Sequence, residues 1–182
     1  MWQRATPLDA VVLRIVSSRE ADTGVLADLI NQAFAIYPFM TEDRTTPDGV
    51  AEEAGDSARF ILAQAEGRTV GCAMIRPATH IGPILETNRR KPGLDEMYYG
   101  LASVDRAAMR GGIGRSLLRR AENEALAAGF TKVVLGTLRE MGNVEYYAAL
   151  GYRTIGTEDF EAGHWAISIP HQEHEMLKDL VP

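Results

Sequence analysis

The sequence predicts an α/β (α+β) domain, built on one central, mixed and mostly antiparallel sheet that is flanked by helices. Two observations carry this prediction. Short β-branched and apolar runs typical of strands alternate along the chain with amphipathic segments of helical period. Two of the runs, "RFILAQA" and "TVGCAMIR", are separated only by the turn "EGRT", which is the pattern of an antiparallel hairpin. The 182 residues contain no internal repeat, so we expect a single domain over residues 1–182.

Composition and charge exclude several classes of protein. Apolar residues make up 46% of the chain, charged residues 24%, and the net charge is -6. This acidic balance argues against a nucleic acid or a membrane surface as a partner. No apolar run approaches the roughly 20 residues of a membrane span, and the opening "MWQRATPLDA" lacks a signal-peptide core. The single cysteine, Cys72, cannot form an internal disulfide, so we expect a buried thiol and a cytoplasmic location.

The first half of the chain is predicted as strand, helix, helix and hairpin. "VVLRIV" at residues 11–16 is β-branched and alternating, as in a strand. Asp22 is a suitable N-cap for a helix that runs to about Ile36, where "YPFM" ends it. The apolar stripe of this helix consists of Leu26, Leu29, Ile30 and Ala33. "TTPDGVAEEAG" predicts a second, short helix with Pro47 near its start.

The second half is predicted to continue the same alternation. Residues 77–92 form a loop, and "EMYYGLASV" at 96–104 forms a strand. A long helix follows from about Gly112 to Ala128, and Gly129 ends it. "KVVLGT" is a buried strand, "NVEYYAAL" a short helix closed by Gly151, and "YRTIG" and "HEMLKDL" are strands.

A glycine-rich loop, "MRGGIGRSLL" at residues 109–118, joins a strand to a helix. The N–H groups at a helix start suit a phosphate, and Arg110 and Arg115 add positive charge. The loop lacks the spacing of a P-loop or a dinucleotide fingerprint. It fits [RQ]-x-x-G-x-[GA] through Gly112 and Gly114, with Met109 at the first position, where Arg or Gln is usual. The alternative is a tight turn that binds nothing.

Four segments in the same order resemble the GNAT N-acetyltransferase superfamily. "MYYGLASVDRAAMRGGIGRSLLRRAENEALAAGF" is similar to the central motif of that family, and "NVEYYAALGY" to the motif that follows it. In the second motif Tyr147, Gly151 and Tyr152 have the expected spacing. "LRIVSSREADTGVLADLINQAF" and the terminal "HEMLKDL" resemble the first strand and helix and the closing strand.

The resemblance implies that acetyl-CoA is the acyl donor and that main-chain groups bind it. The pyrophosphate would lie on the loop formed by Met109, Arg110, Gly111, Gly112, Ile113, Gly114 and Arg115. The pantetheine arm would run along the preceding strand, at Ala102, Ser103 and Val104. Asn143 would bind the pantetheine amides, or it is only the N-cap of its helix.

The resemblance also assigns two catalytic candidates. Tyr147 matches the tyrosine that donates to the departing thiolate; otherwise it packs on the sheet. Some members of the family carry a glutamate base at the position of Tyr98. Glu96 lies two residues earlier and therefore on the same strand face, so it is the candidate base. The alternatives are a water chain without a single base and an exposed glutamate at a strand end.

The function implied is transfer of an acetyl group to a primary amine of a small molecule or peptide, by direct attack in a ternary complex. A homodimer is possible, because dimers are common in the family. The alternative is an acyl-CoA-binding sensor or degenerate module without transfer activity; an unrelated nucleotide-binding α/β protein fits the motif order poorly. No metal site is predicted, since His171 and His174 lie in a terminal strand without a third ligand.

Two further segments have a structural and a functional interpretation. Arg89–Lys91 is a solvated basic loop, or it contacts an acidic acceptor or the 3′-phosphate of CoA. The second segment follows the first helix and either belongs to the core or walls the acceptor site; its large side chains are Phe34, Tyr37, Phe39 and Met40.

Overall fold

A computed structural model describes residues 11–87 and 89–180 and confirms the predicted fold class: a mixed sheet flanked by helices. The strands are β1 (Val12–Ser17), β2 (Arg59–Ala65), β3 (Arg68–Pro77), β4 (Glu96–Val104), β5 (Lys132–Leu138), β6 (Arg153–Phe160) and β7 (His171–Asp179). The α-helices are α1 (Thr23–Phe34), α2 (Pro47–Ala54), α3 (Ile113–Ala127) and α4 (Asn143–Ala149). The opening "MWQRATPLDA" lies outside the described residues.

The seven strands form one sheet in the order β1-β2-β3-β4-β5-β7-β6. The pairs β1–β2, β2–β3, β5–β7 and β6–β7 are antiparallel, and β4–β5 is parallel. The described parallel register joins only Glu96–Tyr98 to Lys132–Val134. Close contacts group the described residues into two units. One contains 11–36, 43–76 and 99–123, and the other contains 37–42, 77–98 and 124–180.

The helix starts of the first unit form as their sequences predict. The side chain of Asp22 accepts from the N–H of Val25 at 3.1 Å, and that of Thr46 from Gly49 at 3.0 Å. Pro47 stands in the first turn of α2, where its missing N–H costs nothing. All four residues of the predicted α1 stripe are buried, so this face anchors the helix in the core.

The hairpin of β2 and β3 closes through two left-handed residues, Glu66 at φ 50° and Gly67 at φ 77°. Two successive positive φ values match the right-handed twist of the strands, which explains the tight connection. Cys72 lies in β3 and is fully buried. Its burial raises the pKa of the thiol to about 12, so the group stays a thiol at neutral pH and has little nucleophilic character.

The second unit contains a longer β6 than the sequence predicted. "YRTIG" continues as strand to Phe160, because its residues pair with β7 along the whole of Arg153–Phe160. The connection to β7 is tied to the segment 37–42: the N–H of Thr41 donates to the carbonyl of Ala166 at 2.9 Å, and that of Ser168 to Phe39 at 2.9 Å. These bonds fix the two loops to one another.

Candidate active site

The glycine loop of the first unit adopts a conformation that most side chains disfavour. Arg110 has φ 64° and Gly112 has φ 79°, both in the left-handed region. Helix α3 begins at Ile113, and the N–H of Ser116 donates to the carbonyl of Gly112 at 3.0 Å. The three N–H groups before Ser116 are those that a helix start cannot pair internally. The loop can therefore present main-chain donors to an anion.

A glycine in the neighbouring strand lets α3 approach the sheet. A Cβ on Gly71 would lie 3.0 Å from Cγ2 of Ile113, 3.3 Å from Cδ1 of Leu117 and 3.3 Å from the carbonyl of Ser103. These distances are tighter than ordinary contacts between carbon atoms. Gly71 therefore sets how closely the start of α3 lies to the end of β4.

The end of β4 is irregular where the sequence predicts the pantetheine contacts. Leu101 has φ 48°, and its carbonyl accepts from the Sγ of Cys72 at 3.6 Å. Beyond it, Ala102 and Val104 are half-buried and Ser103 is buried. Since the described β4–β5 register ends at Tyr98, the main chain of this segment is not used in that ladder. It can pair with an extended ligand instead.

Tyr147 lies in the second unit, on the short helix α4. Glycines in left-handed conformation bound this helix, Gly142 at φ 70° and Gly151 at φ 93°. The ring of Tyr147 packs edge-on against Tyr146 and Tyr152, with centroids 5.2 and 5.8 Å away. Burial, and to a lesser degree the nearby tyrosines, raises the pKa of the Tyr147 phenol, so the hydroxyl keeps its proton and can donate a hydrogen bond.

Asn143 is not a helix N-cap, and that interpretation is wrong. The N-cap of α4 is Gly142, without a side-chain capping bond, and Asn143 is the first helical residue. Its side chain hydrogen-bonds the phenol of Tyr37 instead. Burial raises the pKa of Tyr37, and the bond from Asn143 opposes that shift. The Tyr37 ring stacks on Phe39 at 5.5 Å.

The segment after α1 does not form part of the core. Its large side chains are only half-buried, as the exposure of Phe34, Tyr37, Phe39 and Met40 shows. A core role would have required burial like that of the α1 stripe. The structure thus leaves these groups in contact with solvent on one side.

Glu96 is neither exposed nor free of partners. It is 5% exposed, and Arg90 holds both its oxygens: Nη1 donates to Oε1 at 2.9 Å and Nη2 to Oε2 at 2.8 Å. The same guanidinium donates through Nε and Nη2 to Oε1 of Glu175, at 2.8 and 2.5 Å. Glu175 is 1% exposed. The two carboxylates raise the pKa of Arg90, which stays charged.

Sequence reasoning missed this cluster, which we call the Arg90 clamp (Arg90, Glu96 and Glu175). The interpretation of Arg89–Lys91 as a solvated loop is wrong for Arg90, although Arg89 is exposed. Arg90 and Glu175 are 85 positions apart, so no local pattern links them. The sequence signal that could have revealed the clamp is Glu96, a charged residue in a strand of mostly apolar residues. A charge that is buried in such a strand requires a partner.

The histidines of β7 do not share a face. His171 and His174 are three positions apart on a strand, so their side chains point to opposite sides of the sheet. Among residues 11–87 and 89–180, no group of three or more His, Cys, Asp or Glu side chains is arranged to hold a metal ion. Within those ranges, no helix combines the length and apolar character needed to cross a membrane.

Comparison of the sequence with protein-family profiles establishes the family. The profile of the Acetyltransferase (GNAT) family matches residues 26–152, which is more than half of the chain. The protein therefore belongs to the GNAT acetyltransferase family. A search of curated protein sequences finds no match.

Solved structures show the same fold at low sequence identity. The ribosomal-protein-S18-alanine N-acetyltransferase from Escherichia coli is 16% identical, with a TM-score of 0.69 over 94% of this chain and 96% of that one. A GCN5-related N-acetyltransferase from Kribbella flavida is 21% identical, with a TM-score of 0.67 over 94% and 99%. An aminoglycoside 6'-acetyltransferase type Ii is 18% identical, with a TM-score of 0.66 over 94% and 98%. These likenesses concern the fold.

Proposed function

We propose that the protein transfers an acetyl group from acetyl-CoA to a primary amine of a small molecule or peptide, by direct attack in a ternary complex. The observation that carries the proposal is the glycine loop at the start of α3, with Arg110 and Gly112 in left-handed conformation. This geometry suits a pyrophosphate, because a helix start offers unpaired main-chain N–H groups and the positive end of the helix dipole. Membership of the GNAT family supports the reaction class.

The donor would be held mainly by backbone. The pyrophosphate would accept N–H bonds from the loop 109–115, with the charges of Arg110 and Arg115 nearby. Met109 would contribute least, since its N–H already donates to the carbonyl of Arg106 at 3.4 Å. The pantetheine arm would pair with the main chain of Ala102–Val104, which the β4–β5 register does not use.

The chemical step would be nucleophilic attack of the amine on the thioester carbonyl. The nitrogen–carbon bond forms, and the carbonyl oxygen takes negative charge that N–H groups of β4 can stabilise. The carbon–sulfur bond then breaks and releases the CoA thiolate. A thiol of this kind has a pKa of about 8.5 by analogy with cysteine. The Tyr147 phenol is a weaker acid, so it would stabilise the thiolate by a hydrogen bond without losing its proton.

The amine must also lose a proton. Glu96 is the carboxylate that we propose for this step, acting through water. A carboxylate has about four acceptor positions on its two oxygens, and Arg90 uses two of them. The remaining positions can accept from a bound water that relays the proton. Arg90 would hold the carboxylate in one orientation during this relay.

A second candidate function is acyl-CoA binding without transfer. The Arg90 clamp favours it, because a carboxylate committed to a guanidinium is a less available base than a free one. Met109, in place of the usual Arg or Gln of the loop, is also compatible with a binding module.

Ligand-induced stabilisation and thiol release separate these functions. We expect acetyl-CoA and CoA to raise the Tm, whereas ATP and NAD at equal concentration leave it unchanged, because only CoA offers both a pyrophosphate and an extended amide arm. Acetyl-CoA with a panel of primary amines should then release free thiol. Stabilisation by ATP or NAD but not by CoA would end the proposal, and stabilisation by CoA without turnover of any amine would favour the binding module.

Replacing Tyr147 with phenylalanine tests its role as a donor. We expect kcat to fall on the order of tenfold or more, with little change in acetyl-CoA affinity, because only the bond to the leaving thiolate is lost. Tyr146→Phe is the matched control, since Tyr146 is adjacent and 40% exposed. The pKa of Tyr147 is raised, so the loss should be constant from neutral pH to about pH 10, below which the phenol keeps its proton. Equal kcat in the two variants would remove Tyr147 from the chemistry.

A further inference from the structure

Four rings pack together where β6 and β7 meet their connecting loop. The Phe160 ring lies 4.3 Å from His164, 4.7 Å from Trp165 and 5.4 Å from His171, measured between centroids. We call this group the ring cluster (Phe160, His164, Trp165 and His171). Trp165 is 46% exposed and forms its solvent side, whereas His171 is 3% exposed. An exposed tryptophan over a buried imidazole is unusual for a group that serves packing alone.

His171 has one nitrogen without a partner. Its Nδ1 lies 3.1 Å from the carbonyl of Ile169, and a carbonyl only accepts, so Nδ1 carries the hydrogen. In the neutral ring, Nε2 is then a hydrogen-bond acceptor. This atom is buried and has no hydrogen-bond partner among residues 11–87 and 89–180. A buried acceptor left unpaired costs stability, and a hydrogen-bond donor on a bound ligand would recover that cost.

The loop that carries Trp165 is strained. Trp165 has φ 49° and Ala166 has φ 59°, and neither is a glycine. Two left-handed residues in succession cost on the order of 1–2 kcal/mol each. Two bonds from Thr41 to the Ala166 carbonyl, at 2.9 Å from the N–H and 2.7 Å from Oγ1, hold the turn. Strain of this kind concentrates at ligand-binding sites and at segments that switch.

Two carboxylates lie beside the ring cluster. Oε1 of Glu86 lies 3.4 Å from Nε2 of His164. Glu158 accepts from the main-chain N–H groups of Glu86 and Thr87, so its carboxylate lies close to the segment that carries Glu86. Both groups favour a cation over an anion or a neutral molecule.

We propose that the ring cluster is a binding subsite for a planar guanidinium group of a small-molecule ligand. The guanidinium would stack on Trp165, donate an N–H to Nε2 of His171 and lie near Glu86. A guanidinium meets all three demands, because it is flat, charged and rich in donors. Because Nε2 of His171 is buried, binding requires the exposed Trp165 to move and open a path to this atom. This inference goes beyond the proposed function, and a ligand that carries both a primary amine and a guanidinium tests the two separately.

The chain has only two tryptophans, Trp2 and Trp165, which gives a direct measurement. In the full-length Trp2→Phe protein, all tryptophan fluorescence comes from Trp165. We expect titration with agmatine, a primary amine with a guanidinium at its far end, to change this fluorescence without acetyl-CoA. Cadaverine ends in an ammonium instead of a guanidinium. We expect it to bind at least about tenfold more weakly than agmatine, because an ammonium group is not planar.

His171→Phe in the same background is the decisive variant. We expect it to weaken agmatine binding at least about tenfold, and to leave the Tm equal or higher because an unpaired buried acceptor is removed. His171→Gln, which keeps an acceptor atom, should retain agmatine binding within a few-fold and decides the matter if the phenylalanine variant unfolds.

The outcomes separate the subsite from the proposed function. No fluorescence response to agmatine, or equal affinity in the Trp2→Phe protein and its His171→Phe derivative, overturns the subsite. An unchanged affinity for agmatine in the phenylalanine variant, together with acetyl transfer to agmatine, would overturn the subsite and leave the transferase intact. Agmatine binding that depends on His171, without acetyl transfer to agmatine, would support the subsite, and the amine panel would then decide the transferase.

Discussion

Replacing Arg90 with alanine is expected to be among the most destabilising single changes in the described structure. It would leave Glu96 and Glu175, 5% and 1% exposed, as buried carboxylates of like charge without the guanidinium that pairs with both. Breaking a buried ion pair by removing one partner costs about 3–5 kcal/mol. For a chain of this size, the Tm should fall by roughly 10 °C, which calorimetry or circular dichroism would measure.

The chain offers two controls for this variant. Arg89→Ala removes the neighbouring arginine, which is exposed and donates to the carbonyl of Glu86, so the Tm of this variant should change little. Adding Glu96→Gln and Glu175→Gln to the Arg90→Ala protein removes the uncompensated charges and should recover part of the loss. An Arg90→Ala protein as stable as the Arg89→Ala protein would contradict the described geometry of the clamp.

Replacing Gly112 with valine should remove most of the affinity for acetyl-CoA. The φ of Gly112 is 79°, which a β-branched residue adopts only at a cost of about 1–3 kcal/mol. The valine therefore either shifts the loop or places a branched side chain among the N–H groups that would hold the pyrophosphate. We expect the dissociation constant, measured by calorimetric titration, to rise about tenfold or more.

Gly129→Val is the matched control for this loss of affinity. Gly129 also has a left-handed φ, 87°, and ends the same helix, with nothing within 4 Å of an added Cβ. The two variants carry comparable backbone strain, so a general loss of stability would affect both. Weak acetyl-CoA binding in the Gly112 variant alone identifies the loop as the cradle, whereas equal affinity in all three proteins would show that the anion binds elsewhere.

The fold was predictable because its signals are local. Asp22 and Thr46 cap their helices within three residues, and "EGRT" fixes a hairpin of nearest neighbours. The end of β6 was not predictable from the sequence, since its last residues form a strand only through pairing with β7. The sequence "TEDF" has little apolar alternation of its own, so the tertiary partner decides its conformation.

The candidate site was predictable where the backbone forms it and unpredictable where distant side chains meet. The spacing of the glycines in the glycine loop predicts the conformation of that loop directly. The Arg90 clamp joins a loop to two strands, and the ring cluster depends on a turn that Thr41 holds from 125 positions away. Contacts between side chains that are far apart in the sequence produce no periodic pattern from which a single sequence could predict them.

The binding that we propose, through main-chain groups, would have an evolutionary consequence. On β4, an N–H or a carbonyl is present whichever residue stands at Ala102 or Val104, so substitutions there need not disturb a ligand that reads only the backbone. What must persist is the course of the strand, including the left-handed turn at Leu101. Selection on such a surface acts on shape more than on residue identity.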